Sequence, residues 1–202
     1  MPKKETPESR KSQIIAAADL VLLEVGINRF TVDQVIQRAG IAKGTVYNYY
    51  KHKDEMLAEL GFKSLRLLRD SFAAGTAKHD SAIHKVKAIC HACYQYYMRY
   101  PKYFELIAYM ERPEFQINTQ EYIRISEEIQ GLTEGIIKQG QAQKEIRHNL
   151  NSTMANYILW ASCVGVVGFV ESKKKLLKNY HEIDTSALVE AFADMITEGM
   201  AA

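Results

Sequence analysis

Cysteine and proline, two residue types that shape many small proteins, are scarce in this chain of 202 residues. Three cysteines are an odd number, and the chain is long enough to bury a sizeable core, so reduced thiols fit better than a disulfide framework. Only four prolines are present and no alternating polar and apolar pattern persists, which predicts an all-α fold.

Long hydrophobic runs are also lacking. The longest, residues 157–170, is shorter than the roughly 18 residues that a transmembrane helix needs, and it is interpreted as a buried helix. The polar beginning MPKKETPESRKS does not have the pattern of a secretory signal. Together these features predict a cytoplasmic protein with no membrane partner.

The charge is unevenly distributed along the chain. Residues 1–53 hold nine Lys and Arg against five Asp and Glu, whereas the remainder holds 17 against 19. A basic N-terminal segment followed by a mildly acidic remainder is typical of a protein with an N-terminal nucleic-acid-binding module. A chance imbalance in a short segment would produce the same numbers.

Apolar residues recur at helical spacing and predict about nine helices. Thr6 before Pro7 predicts the start of the first helix, which Gly26 ends. Further helices are predicted at about 53–74, 103–110, 151–173 and 184–200. Two more are predicted by apolar stripes, one over 83–97 on a helix that Pro101 ends and one over 122–136 before a loop at about 140–151.

Two short helices lie between the first helix and residue 53. Thr31 and Gln34 form a predicted capping box for a helix over 32–39, and Gly40 can adopt the left-handed conformation that ends it. A second helix is predicted at about 43–50, with Ile41 and Val46 as apolar side chains that hold the pair crossed. This layout predicts a helix-turn-helix.

The segment AGIAKGTVYNYY carries side chains suited to DNA. In a helix-turn-helix the second helix enters the major groove, where Asn can pair with adenine, while Lys, Thr and Tyr reach bases or phosphates. Gly44 allows the start of the helix to come close to the sugar-phosphate backbone of DNA. Val46 and Tyr50 are expected to be core residues. The predicted DNA contacts are Thr31, Lys43, Gly44, Thr45, Tyr47, Asn48, Tyr49 and Lys53.

The stretch TVDQVIQRAGIAKGTVYNYYKHKDEML resembles the DNA-binding segment of the TetR family of bacterial transcriptional repressors, and the resemblance covers about the first 60 residues. It implies a DNA-binding domain at 1–53 and an effector-binding and dimerisation domain at 54–202, with a connecting helix at 54–74. Two positions depart from the family pattern. Ile36 is bulkier than usual, and Ala42 cannot cap the recognition helix.

The resemblance also implies a homodimer formed by the helices of 152–200. Small residues in this region allow another helix to pack closely, although an intramolecular core helix would show the same pattern. The predicted interface residues are Ala161, Val164, Gly165, Gly168, Phe169, Leu188, Phe192 and Met195.

Aromatic residues are dense between 94 and 122. Tyrosine combines an apolar body with a polar tip and suits a ligand cavity, but it suits the edge of an ordinary core equally. The predicted contacts for an unknown aromatic or hydrophobic effector are Tyr94, Tyr97, Phe104, Ile107, Tyr122 and Trp160.

A metal or redox sensor is an alternative function, because His84 and His91 lie near Cys90 and Cys93 in the sequence. Both cysteines fall on an apolar stripe, however, and a structural zinc site draws four convergent ligands, so core thiols are expected and no metal or cofactor is predicted. The lysines at 173–175 are interpreted as a solvated helix end.

Together with the resemblance, these patterns predict a ligand-responsive regulator that binds a near-palindromic double-stranded DNA operator as a homodimer and is released by a small effector. No catalytic arrangement of residues is recognisable, so an enzyme is not predicted. The alternatives are a DNA-binding regulator without an effector and the redox or metal sensor.

Overall fold

The protein is described here by a computed structural model that covers residues 6–115 and 119–202. Over these residues the chain forms nine α-helices and one 3-10 turn, and no strand element, which confirms the all-α prediction. Lys3 and Lys4, which contribute to the basic charge of the first segment, lie outside the described residues. In chain order the helices are α1 (Pro7–Val25), α2 (Val32–Ala39), α3 (Lys43–Tyr49), α4 (Lys53–Thr76), α5 (Ala82–Arg99), α6 (Pro101–Met110), α7 (Thr119–Ala142), α8 (Ser152–Tyr180) and α9 (Thr185–Met200).

The chain folds into two compact units. The first comprises the described residues of Met1–Leu65 and Tyr100–Tyr122, and the second comprises Arg66–Arg99 and Ile123–Ala202. The early part of α4 belongs to the first unit because its apolar face is fully buried there, through Met56, Leu57 and Leu60. The packing boundary therefore differs from the domain boundary predicted at 53/54, and the functional division at that point stays a prediction.

Helix α1 begins and ends as its sequence predicts. Thr6 caps its first turn by accepting a hydrogen bond from the Ser9 N–H at 3.2 Å, and Pro7 occupies the first helical position. Gly26 follows the helix with a φ of 71°, in the region that favours glycine. The inward face is buried, through Ile14, Ala17, Ala18, Val21 and Leu22.

Helices α4 and α6 approach each other closely within the first unit. A Cβ added to Gly61 would lie 1.7 Å from Met110 Sδ, so the side chain of Met110 occupies the space that the missing Cβ leaves. Beside this contact, Lys63 donates to Asp19 Oδ2 at 2.5 Å and to Tyr103 Oη at 2.8 Å, while Tyr103 donates to Asp19 Oδ1 at 2.6 Å. One polar triad thus joins α1, α4 and α6.

The second unit is built around α5, which contacts both α8 and α9. Two carboxylates fix the helix ends. Glu134 accepts hydrogen bonds from Ser152 and Thr153 at the start of α8, and a salt bridge from Lys138 together with those bonds lowers the pKa of Glu134 to about 2. Glu145 likewise accepts from Ser81 at the start of α5.

Two helix ends differ from the sequence prediction. Helix α8 continues to Tyr180 rather than ending near 173, so the lysines at 173–175 lie inside its last turns and not at its end. Helix α6 begins at Pro101, because proline is well suited to the first helical position where no N–H donor is needed.

The close approach at Gly61 gives a stability prediction. We expect Gly61→Ala to lower the free energy of unfolding by about 1–2 kcal/mol, since the added methyl displaces Met110 by more than the gain in helix propensity offsets. Chemical denaturation followed by circular dichroism measures the change.

Gly135 in α7 is the matched control, because no atom lies within 4 Å of a Cβ added there. Gly135→Ala should be neutral or stabilising by up to about 1 kcal/mol. Adding Met110→Ala to Gly61→Ala should remove the clash. A Gly61→Ala protein as stable as the Gly135→Ala protein would contradict the packing argument.

Candidate nucleic-acid interface

The short helices α2 and α3 are set by local hydrogen bonds. The Gln34 N–H donates to Thr31 Oγ1 at 3.3 Å and the Thr31 N–H donates to Gln34 Oε1 at 3.0 Å, which confirms the capping box. Gly40 ends α2 in the left-handed region, with φ 64° and ψ 28°, also as predicted. Gln13 of α1 then donates to the carbonyl oxygen of Ala39, which ties the end of α2 to α1.

Helix α3 has a buried side and an open side. Val46 is fully buried, and Tyr50, just after the helix, is 2% exposed, so both are core residues as predicted. Ile41 in the turn is buried as well. The opposite side carries exposed Lys43, Gly44 and Asn48 and partly exposed Thr45, Tyr47 and Tyr49.

We call these six residues, with Thr31 and Lys53, the recognition surface. Thr31 is exposed at the start of α2, although its hydroxyl already takes part in the capping box. Lys53 is exposed at the first position of α4. All eight residues predicted to contact DNA therefore lie in the first unit with access to solvent.

Lys43 has two partners at the start of α3. Its Nζ lies 3.1 Å from Asp33 Oδ1 on α2 and 5.8 Å from the centre of the Tyr47 ring. The hydrogen bond and the charge of Asp33 raise the pKa of Lys43, so the ammonium stays protonated well above neutral pH. No pattern in the sequence marks Asp33 as a partner of Lys43, because an acidic residue is common in the first turn of a helix for its favourable interaction with the helix dipole.

The other end of α3 is held by a second group of residues. Lys51 donates to the carbonyl oxygen of Tyr47 at 2.9 Å, close to the end of the helix. Lys11 forms a salt bridge with Glu59 at 2.5 Å and lies 5.8 Å from the ring centre of Tyr50. In the described part of the chain Tyr50 Oη has no hydrogen-bond partner, and burial raises the pKa of this hydroxyl.

The two departures from the family pattern have a local structural effect only at Ala42. Ala42 offers no side-chain cap, and the first turn of α3 is closed by the N–H groups of Thr45 and Val46, which donate to the Ala42 carbonyl oxygen. Ile36 is partly exposed on α2 and does not interrupt the helix.

The predicted dimer residues lie on the open sides of α8 and α9. None of the eight is buried within the protomer, and Met195 and Phe169 are 74% and 49% exposed. Neighbouring apolar residues Met154, Tyr157 and Ile158 are exposed on α8 as well. We call this combined surface the α8–α9 apolar face.

Helix α8 is also long and apolar enough to span a membrane when judged by length and composition, and it is the one such helix in the described chain. Core helices of soluble proteins pass the same test. Only 33% of its most apolar stretch is buried within the protomer, so a large part of this apolar surface faces outward.

The predicted effector contacts fall in both units. Phe104, Ile107 and Tyr122 belong to the first unit, and Tyr94, Tyr97 and Trp160 belong to the second. Tyr97, Phe104 and Ile107 are buried. The Tyr94 hydroxyl donates to Thr185 Oγ1 of α9 at 3.1 Å, which gives it a structural partner, and a ligand role for the six residues stays a prediction.

The three cysteines are buried free thiols in the second unit. Cys163 on α8 is a neighbour of Cys90 on α5, and its interaction with Cys90 together with burial raises the pKa of the Cys90 thiol. A raised thiol pKa lowers reactivity. Within residues 6–115 and 119–202 no group of three or more His, Cys, Asp or Glu side chains is arranged to hold a metal ion.

The segment with the recognition surface matches a known family. Residues 14–60 fit the family model described as bacterial regulatory proteins, tetR family. The regulator BetI of Cronobacter sakazakii is 36% identical over 74 residues, which is 37% of each chain. A match of that length covers little more than a third of BetI.

Two further comparisons extend over most of the chain. The fatty acid metabolism regulator protein of Bacillus subtilis is 24% identical over 93% of this chain and 94% of its own. The crystal structure of the regulator FadR from Bacillus subtilis in complex with stearoyl-CoA superposes with a TM-score of 0.70, at 20% identity, over 94% of this chain and 99% of that one. At this identity the structural likeness shows the fold.

Proposed function

We propose that this chain, a member of the TetR family of bacterial regulators, is a cytoplasmic transcriptional repressor that binds an operator as a homodimer and leaves it when a small effector binds. The observation that carries the proposal is the two-sidedness of α3. Val46 and Tyr50 hold one side in the core, while the other side presents Lys43, Asn48 and their neighbours to solvent.

The chemistry of the recognition surface suits duplex DNA. Asn48 can form two hydrogen bonds with adenine in the major groove, and the ammonium groups of Lys43 and Lys53 can neutralise phosphates. The hydroxyls of Tyr47 and Tyr49 are donors of the kind that contact phosphate oxygens. Base contacts would select the sequence, and phosphate contacts would set the docking position.

A single helix-turn-helix head reads only a half-site, so a two-fold dimer explains a near-palindromic operator. The α8–α9 apolar face supports this dimer, because two copies could form a four-helix interface that removes their exposed apolar surface from water. The two recognition helices would then enter successive major grooves about 34 Å apart.

We further propose that the effector carries a long apolar chain, with an acyl-coenzyme A thioester as the first candidate. The full-length similarity to the fatty acid metabolism regulator protein and the fold shared with the stearoyl-CoA complex support this class. Such a ligand acts as an inducer only if it prefers a dimer whose heads are wrongly spaced for DNA.

A redox or metal sensor is the weaker alternative. The buried Cys90 thiol, with its raised pKa, is a poor nucleophile and a poor metal ligand in its resting state. The relatives named above are regulators, so we propose no enzymatic activity.

The DNA-binding proposal predicts different effects for two substitutions. Lys53→Gln should weaken binding to all duplexes and reduce the slope of log K against log salt by about one, because one phosphate contact is lost. Asn48→Ala should relax the preference at one base pair, a loss of about 1–3 kcal/mol of discrimination. Fluorescence anisotropy with a duplex selected from a random-sequence pool by the unchanged protein measures both.

Lys174→Gln is the control for Lys53→Gln, since Lys174 is an exposed lysine of the second unit, on α8. It should leave both affinity and salt slope unchanged. Unaltered operator binding by the Lys53→Gln and Asn48→Ala proteins together would overturn the docking arrangement.

The dimer proposal is tested by a pair of matched glycines. Gly165 on α8 and Gly131 on α7 are both exposed helical glycines with nothing within 4 Å of an added Cβ, but only Gly165 lies on the α8–α9 apolar face. Gly165→Asp should produce a monomer with at least tenfold weaker operator binding, because a charge would be buried in the interface.

Gly131→Asp should remain a dimer with normal operator affinity. Sedimentation equilibrium measures the oligomeric state of each protein. A dimeric Gly165→Asp protein would show that the second copy binds elsewhere.

The effector proposal predicts that stearoyl-CoA lowers operator affinity by about 5- to 150-fold, the usual range of allosteric coupling. Calorimetric titration and DNA anisotropy in the presence of stearoyl-CoA measure binding and release. Free coenzyme A and stearate are the controls, and each should have a smaller effect because it offers only part of the ligand. Binding of stearoyl-CoA without DNA release would contradict its role as the inducer, and release by hydrogen peroxide alone would favour the redox alternative.

A further inference from the structure

A carboxylate lies at the edge of the recognition surface, where it would face the same phosphates that the lysines attract. Asp33 is in the first turn of α2, its side chain is 75% exposed, and its Oδ1 lies 3.1 Å from Lys43 Nζ. An acidic group near duplex DNA reduces attraction to every sequence, because the phosphates form a uniform line of negative charge. Its position therefore has a cost in DNA affinity that needs an explanation.

Stability alone does not explain why Asp33 pairs with Lys43. An ion pair between two side chains this exposed contributes little to folding, and the favourable interaction with the α2 dipole explains an acidic residue at this position but not its contact with Lys43. What the pair does achieve is orientation. The ammonium lies 3.1 Å from the Asp33 carboxylate and 5.8 Å from the centre of the Tyr47 ring, at the first residue of the helix that would enter the groove.

We propose that Asp33 is a positioning residue for DNA selectivity, which holds Lys43 in the direction required by the correct operator and repels phosphates of other sequences. The inference rests on the proposed DNA-binding function. An unrestrained lysine reaches many phosphates, because its stem is flexible and its ammonium is a point charge. A lysine held by Asp33 makes its contact at one docking position, and away from that position the carboxylate remains as a repulsive group.

Selectivity is a difference between two affinities, and a group that penalises wrong partners raises it as effectively as a new attractive contact does. On a wrong sequence, loss of the Asp33 charge removes repulsion and strengthens binding. On the correct sequence, the same change removes repulsion but also releases Lys43, so the two effects oppose each other. The ratio of the two affinities should therefore fall.

The test measures the affinity of Asp33→Asn for two duplexes. One is a duplex selected from a random-sequence pool by the unchanged protein, and the other is a scrambled duplex of the same base composition. We expect the scrambled duplex to bind about fivefold more tightly, with a salt slope steeper by about one, while the selected duplex changes by less than about twofold. The selectivity ratio should fall by about fivefold.

Three further variants separate positioning from a general charge effect. Asp33→Glu keeps the charge and should keep most of the selectivity. In a Lys43→Gln background, Asp33→Asn should no longer change the ratio, since there is no lysine to position. Glu24→Gln removes a carboxylate that pairs with Arg38 at the other end of α2, and it should leave the ratio unchanged.

Each contrary result has a distinct meaning. Equal effects of Asp33→Asn on both duplexes, or an equal fall in the ratio with Glu24→Gln, would overturn the inference while leaving DNA binding intact. Weaker binding to the selected duplex alone, with loss of preference at one base pair, would mean that Asp33 contacts a base directly and does not act through Lys43. No DNA binding by the unchanged protein would remove the proposed function, and the inference with it.

Discussion

The burial of two side chains, Val46 and Tyr50, is the constraint on which the recognition surface depends. Helix α3 has only seven residues and is too short to be stable in isolation, so it exists because these two residues attach it to the core of the first unit. Helical geometry then fixes what the remaining positions can do. Because one side of the helix packs on the core, the other side is fully or partly exposed, and it carries Lys43, Thr45, Tyr47 and Asn48.

The helix-turn-helix head, formed by α1 to α3, is not an isolated module within the first unit. The triad of Asp19, Lys63 and Tyr103 joins α1 to α4 and α6, and the contact of Gly61 with Met110 brings α4 and α6 unusually close. A displacement of α6 would thus shift α4, the helix that begins at Lys53 of the recognition surface. Tightly packed elements transmit such shifts because they have few intermediate arrangements.

The comparisons and the structure support different parts of the account. The family model matches residues 14–60 and concerns the head, whereas the similarities over the whole chain are at 24% identity or below and establish the fold of the remainder. The second unit is therefore the part of the chain that is less similar in sequence to the proteins compared. The α8–α9 apolar face is exposed in the protomer, and this exposure does not depend on which effector the protein binds.

The sequence by itself determined the all-α fold, the positions of α1, α2 and α3 and the residues that end them, because caps, glycine turns and apolar spacing act over a few neighbouring residues. It was less successful for α8, where the lysine run at 173–175 resembles a helix end although Leu177 is buried and the helix continues. Only the tertiary structure decided that Asp33 meets Lys43, that Cys163 meets Cys90, and that the early part of α4 belongs with the head. These contacts join residues on different helices, and no local pattern records which helix faces which.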